Sequence, residues 1–160
     1  MIKTSMLDFA RTGRMGPIHC GLPREDLRKL LGDPPNWAAP ASSASRAKIW
    51  RYGDVEFHFS KDLQNVWMIF SDHDHLADGG DTLCLEPWVI QKELPRAQFE
   101  AELAGAGIDF VVVHPADDPG QRIIVTFAKV NFLFLEENDS GGPPRGLFGW
   151  SITEPPSVHA

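Results

Sequence analysis

"IWRYGDVEFHFS", residues 49–60, alternates apolar and polar side chains on either side of a Gly-Asp step. Side chains of a strand point to opposite faces in turn, so the pattern predicts two strands joined by a tight turn at Gly53-Asp54. In the second strand Val55, Phe57 and Phe59 share one face, while Glu56 and His58 share the other. That division suits an antiparallel sheet with one side on a core. Further along, "LQNVWMIF" (63–70) is apolar on both faces and reads as a central strand. "DTLCLEPW" (81–88) reads as a fourth strand ended by Pro87.

Upstream of the hairpin, "PREDLRKLL" (23–31) predicts a helix. Pro23 suits its first turn, Glu25 and Asp26 lie at the positive end of the dipole, Arg28 and Lys29 near the negative end, and Gly32 stops it. Leu27, Leu30 and Leu31 form one apolar stripe. "GDPPNWAAPASSAS" (32–45) reads as a long loop, and the first twenty residues, without a sustained period, as an arm.

The same order returns in the second half. "LPRAQFEAELAGAG" (94–107) predicts a helix with Phe99, Leu103 and Ala106 on one side and Gly107-Ile108 as its cap. "DFVVVHP", "QRIIVTFA", "VNFLFLEE" and "GLFGWSIT" follow as four strands. "LPR" at 22–24 returns at 94–96, and "VEFHF" at 55–59 returns as "VNFLF" at 130–134. The expectation is an α+β fold in one compact domain, 1–160, made of two tandem helix-plus-four-stranded antiparallel sheet units, about 21–88 and 94–153. Units of this size are marginal alone, so the two should share a core. Leu133 and Leu135 replace the polar outer face of the first copy, which predicts a second sheet buried on both sides.

The run "GLPREDLRKLLGDPP" followed by "IWRYGDVEFHF" resembles outer-membrane assembly lipoproteins of the SmpA/OmlA kind and the β-lactamase inhibitor protein, a tandem of such units. The matching positions are Gly21, Leu31-Gly32, Pro34, Trp50 and Tyr52. The resemblance covers residues 21–59; the second copy keeps the order of elements without these residues. It implies an α+β scaffold whose open sheet face and long loops bind another protein. Lipobox, signal and a secreted inhibitor's cysteine arrangement are lacking, so neither export nor β-lactamase binding is carried over.

Twenty-two acidic against 15 basic residues give a net charge of −7. Such a surface repels nucleic acid and anionic membranes and suits a basic protein partner. Size and acidity are also similar to those of immunity proteins in toxin systems. No apolar run at the start suggests a secretory signal, none is long enough to span a membrane, and Cys20 and Cys84 form no pattern. A cytoplasmic location with reduced thiols is expected.

"SDHDHLADGGD" (71–81) concentrates the polar chemistry. On an extended segment His73 and His75 point to one side and Asp72 and Asp74 to the other. The run lacks both the full His-x-His-x-Asp-His arrangement of binuclear hydrolases and the Asp-x-Asp-x-Asp-Gly core of a calcium loop. Asp78-Gly79-Gly80-Asp81 suits a flexible hairpin connection, so the stretch reads foremost as a solvated loop. Metal ligation by His73 and His75 is the alternative.

Other chemistry is weaker. Cys20 beside His19 lacks an orienting third group for a nucleophile, and Cys84 is expected to pack in its strand. Asp117-Asp118, Glu136-Glu137, Glu100 and Glu102 read as solvated surface. No phosphate loop or dinucleotide motif is present, so no cofactor is expected. Trp67 and Trp150 are expected in the core, whereas Trp37, in the Pro/Ala/Ser loop, suits a binding anchor. The resulting expectation is a non-enzymatic protein-binding module acting through Trp37, Asp72, Asp74, Asp78 and Asp81. A metal-dependent enzyme or metal-binding protein centred on Asp72–His75 and a scaffold without a dedicated ligand are the alternatives.

Overall fold

The hairpin at residues 49–60 sits inside a continuous antiparallel sheet. The computed structural model describes residues 1–136 and 144–155. Its strands are β1 (Ile2–Ser5), β2 (Asn36–Trp37), β3 (Ile49–Tyr52), β4 (Val55–Phe59), β5 (Val66–Ser71), β6 (Leu83–Glu86), β7 (Phe110–Val113), β8 (Gln121–Thr126), β9 (Asn131–Leu135) and β10 (Gly146–Thr153). Among the described residues, three α-helices accompany them: α1 (Met6–Thr12), α2 (Arg24–Leu31) and α3 (Arg96–Gly105). The fold is α+β. Eight strands pair in the order β2-β3-β4-β5-β10-β9-β8-β7, and β1 and β6 form a separate parallel pair.

The halves meet edge to edge, since β10 pairs with β5 on one side and β9 on the other. The second half of the sheet is therefore not stacked on the first. Leu133 and Leu135 remain half-exposed, against the expectation of burial on both faces.

One face of the sheet is covered. Phe9 of α1 meets Trp150 edge-on at 5.0 Å, and Phe99 of α3 meets Phe132 at 4.7 Å. At the start of α2 the Arg24 guanidinium lies 4.5 Å from the Trp50 ring and 4.7 Å from that of Phe59. It also donates to the carbonyls of Ala44 and Ala47, tying the loop before β3 to the helix. Tyr52 donates its hydroxyl to the Gly32 carbonyl at 2.8 Å, joining the end of α2 to β3. Leu31, Pro34, Trp50 and Tyr52 are all buried, so their spacing reflects packing. α3 ends as expected, with Gly107 at φ 72 and the Ile108 amide donating to the Leu103 carbonyl.

Several expectations are corrected. Residues 83–86 are not the fourth strand of the main sheet; they pair in parallel with β1, while Asn36–Trp37, inside the expected loop, supply the edge strand. The N-terminal arm is a strand and a helix. Ser5 caps α1 through a bond from the Asp8 amide at 3.0 Å, and Met6, Phe9 and Ala10 form a buried stripe too short to display a sustained period. Trp67 is 40% exposed, because a register shift between His58 and Phe59 leaves it opposite no residue of β4; Trp150 is fully buried as expected. Cys84 is exposed, since the alternation of β6 turns Leu83 and Leu85 inward. Among the described residues, no helix is long and apolar enough to cross a membrane.

Candidate functional site

Residues 72–82 are docked against the β3–β4 turn rather than free in solvent. Gly53 has φ +57, and a Cβ there would lie 2.4 Å from the Gly80 amide nitrogen, so the two backbones approach more closely than any side chain permits. The Asp54 amide donates to the Asp78 carbonyl at 2.8 Å, and the His75 amide donates to the Asp54 carboxylate at 3.0 Å. Leu76 is buried, and the Trp150 indole donates to its carbonyl at 2.7 Å. The expected hairpin connection is corrected on this point. The strand after the loop pairs with β1, and Gly79-Gly80 serve close packing.

Two polar clusters result. In the first, the Glu56 carboxylate accepts from His73 Nε2 at 2.7 Å and from His58 Nε2 at 3.1 Å. A carboxylate only accepts, so both imidazoles present Nε2–H to it. Burial pushes the His58 pKa below its ordinary value, and the neighbouring Glu56 charge offsets this only in part. In the second, Asp54 accepts from Arg51 at 2.7 Å and lies 3.3 Å from His75 Nδ1. Burial pulls the Asp54 carboxyl upward, but the bonds from Arg51 and His75 outweigh it and hold the group below its ordinary value.

The first cluster opens into a cleft of about 460 Å³ lined by Asn36, Trp37, Ile49, Arg51, Glu56 and His73. Trp37 is 40% exposed, and its indole is fixed by donation to the Ala41 carbonyl at 3.0 Å. Trp37 and His73, far apart in sequence, thus line one cleft, with exposed Asp72 beside it. Asp74 and Asp78 line a second cleft of about 350 Å³ together with His75 and Lys92. Lys92 donates to the carbonyls of Asp72 and Phe148, which places one cation against the loop. Asp81 is exposed and lines neither cleft.

The ligand atoms of Glu56, Asp72 and His73 lie within 4.8 Å of one another, as do those of Asp54, His75 and Asp78. Sequence patterning places Glu56 and His58 only on an outer strand face, and it gives Arg51 and Asp54 no role. The available signal is a pair of ionisable residues on the outer face of a strand otherwise made of Val and Phe.

A cysteine nucleophile receives no support. His19 Nδ1 contacts the Cys20 carbonyl rather than the thiol, and Cys20 is pushed up to about 12, chiefly by burial. Such a thiol stays protonated at neutral pH. Glu100 and Glu136 both bind Arg96, while Asp117 and Asp118 are exposed; Glu137 lies outside the described residues. Comparison of the chain with protein-family models, curated proteins and solved structures returns no match.

Proposed function

We propose that this chain is a cytoplasmic, non-enzymatic protein-binding module of the inhibitor or immunity kind, which takes a basic partner against the Trp37 cleft and the acidic 72–81 loop. The observation that carries this reading is the pair of carboxylates, Glu56 and exposed Asp72, at a cleft whose lining includes Trp37, the residue of β2 set opposite buried Trp50. Carboxylates at such a cleft suit a lysine or arginine side chain through charge pairing. The net charge of −7 adds long-range attraction to a basic surface. The fold reading that accompanies the proposal is a tandem of two helix-plus-four-strand units. Its support is the strand order, in which β2 to β5 follow α2 and β7 to β10 follow α3, each set occupying one half of the sheet.

The test is affinity capture with the wild-type chain and with a Trp37→Ala, Asp72→Asn, Asp74→Asn variant as baits, followed by association kinetics with the captured protein. A basic partner lost from the variant, whose association slows as salt rises, is the expected result. A partner retained by the variant, or a salt-insensitive rate, refutes the reading.

The convergence of Glu56, Asp72 and His73 favours one second reading, a metal-binding protein. Zinc needs three or four such ligands at about 2.0–2.2 Å. In that case zinc raises the melting temperature of metal-stripped protein, and His73→Ala with His75→Ala abolishes the shift.

A further inference from the structure

Three neighbouring strands of the main sheet set three polar residues in one row. Asn36 of β2 stands opposite Arg51 of β3, and Arg51 stands opposite Glu56 of β4. Residues paired in this way share a face and lie within side-chain reach, so an arginine and a glutamate directly opposite are placed to pair with each other. Here they turn apart. Arg51 donates from Nε to the Gly53 carbonyl at 2.8 Å and from Nη2 to Asp54 at 2.7 Å, whereas Glu56 accepts from His58 and His73. Arg51, Glu56 and Asn36 all line the cleft of about 460 Å³. Its two opposite charges are each held by other groups and not by one another.

Both charges keep unused hydrogen-bonding capacity. Among the described residues Arg51 Nη1 has no partner, and Glu56 uses two of about four acceptor sites. An oxygen of Glu56 and one of exposed Asp72 lie within 4.8 Å of each other. Two acceptors about 2.8 Å from one ammonium nitrogen, along tetrahedral directions, stand about 4.6 Å apart. The two carboxylates therefore fit a single primary ammonium. A metal ion at Glu56 must displace the His73 Nε2–H, whereas an ammonium brings only donors and leaves that bond intact.

We propose that this cleft binds a free α-amino acid with an apolar side chain. Its ammonium sits between Glu56 and Asp72, and its carboxylate accepts from Arg51 Nη1 and from the Asn36 side-chain amide. Its side chain lies against Ile49 and Ala38, which complete the lining; Ile49 stands two residues before Arg51 on β3 and so faces the same side. A ligand with one charge uses one end of the row, whereas a zwitterion satisfies both. The volume of about 460 Å³ falls within the range of roughly 300–1,000 Å³ usual for small-molecule sites. Such a site needs no protein partner, so it stands apart from the protein-binding reading.

Titration of the isotope-labelled chain with L-leucine, followed through backbone amide shifts, tests the proposal. Leucine is expected to saturate with a Kd on the order of 1 mM, its shifts concentrated at Arg51, Glu56 and Asp72. Two analogues supply a readout that needs no variant. L-leucinamide keeps the ammonium and lacks the carboxylate, and N-acetyl-L-leucine keeps the carboxylate and lacks the ammonium. Each is expected to bind about tenfold or more weakly, through loss of one charge-assisted contact. Arg51→Gln is expected to abolish the preference for leucine over leucinamide, with the rest of the amide spectrum reporting that the variant is folded. Either analogue bound as tightly as leucine overturns the zwitterion assignment, and a preference that persists in folded Arg51→Gln overturns the role of Arg51. No saturable shift up to about 20 mM leucine overturns the site. Each of these failures leaves the outcome of partner capture untouched.

Discussion

Removing the Leu76 side chain is expected to release the 72–82 loop while leaving the sheet intact. Leu76 is 2% exposed, and its carbonyl accepts from the Trp150 indole. Leu→Ala in a core costs roughly 2–5 kcal/mol, the upper values arising where the surroundings cannot close the cavity. Leu76 also lines the 350 Å³ cleft that opens beside Asp74 and Lys92, so water and loop movement can relieve the void. The expected loss is therefore about 2–3 kcal/mol, near the lower end of that range. At roughly 2–4 °C per kcal/mol for a chain of this size, the melting temperature falls by about 4–12 °C. Circular dichroism melts measure the fall, and hydrogen exchange at the His75 and Gly80 amides locates it. Leu76→Met, which keeps most of the volume, is expected to recover most of the stability. A fall below about 2 °C, or unchanged exchange at those two amides, refutes the view that Leu76 anchors the loop.

Three further outcomes are expected. Tyr52→Phe leaves the Gly32 carbonyl without its donor and costs about 1–2 kcal/mol in urea unfolding; no loss refutes the bond's role at the end of α2. Burial holds folded His58 below 6.5, so the unfolded chain takes the proton first; stability is full above about pH 6.5 and declines as pH falls through the folded value, and His58→Gln should reduce that decline in melts from pH 8 to 5. At pH 8 iodoacetamide labels exposed Cys84 in the native chain and spares Cys20, whose thiol is pushed up to about 12, while denatured chain takes both; rapid native labelling of Cys20 refutes its burial.

Local patterns make much of the fold legible in the amino-acid order. The hairpin around Gly53-Asp54, the helix before Gly32, the helix before Gly107 and the four strands of the second half all lie where alternation and caps put them. What stays hidden depends on distant partners. β1 has four residues, and its partner, Leu83–Glu86, lies far along the chain, so no local period distinguishes that parallel pair from an arm and a fourth sheet strand. β2 has two residues and is a strand only because Arg51 and Trp50 pair with it. The site divides in the same way. Trp37, Asp72 and His73 stand out by residue type, whereas Arg51, Asp54 and Glu56 join them only through the register of β3 and β4 and the docking of the loop.

The manner of that docking bears on how the site would work. Association costs free energy for every loop and side chain that must be ordered at the interface. Here much of that ordering is already done by folding: the Trp37 indole is held by the Ala41 carbonyl, His73 by Glu56, and the loop backbone by Asp54, Leu76 and the Gly53–Gly80 approach. Those same bonds oppose metal capture, since an ion at Glu56 must displace the His73 Nε2–H and compete with His58 for the same carboxylate. They cost a protein partner much less, because a lysine or arginine reaching the outer face of Glu56 adds donors to a carboxylate that accepts up to about four. The Leu76→Ala variant separates the two consequences. A loosened loop should weaken partner binding mainly through faster dissociation, as expected when pre-organisation is lost, while zinc binding should strengthen if the docked geometry is what holds the ligands in bonds with each other.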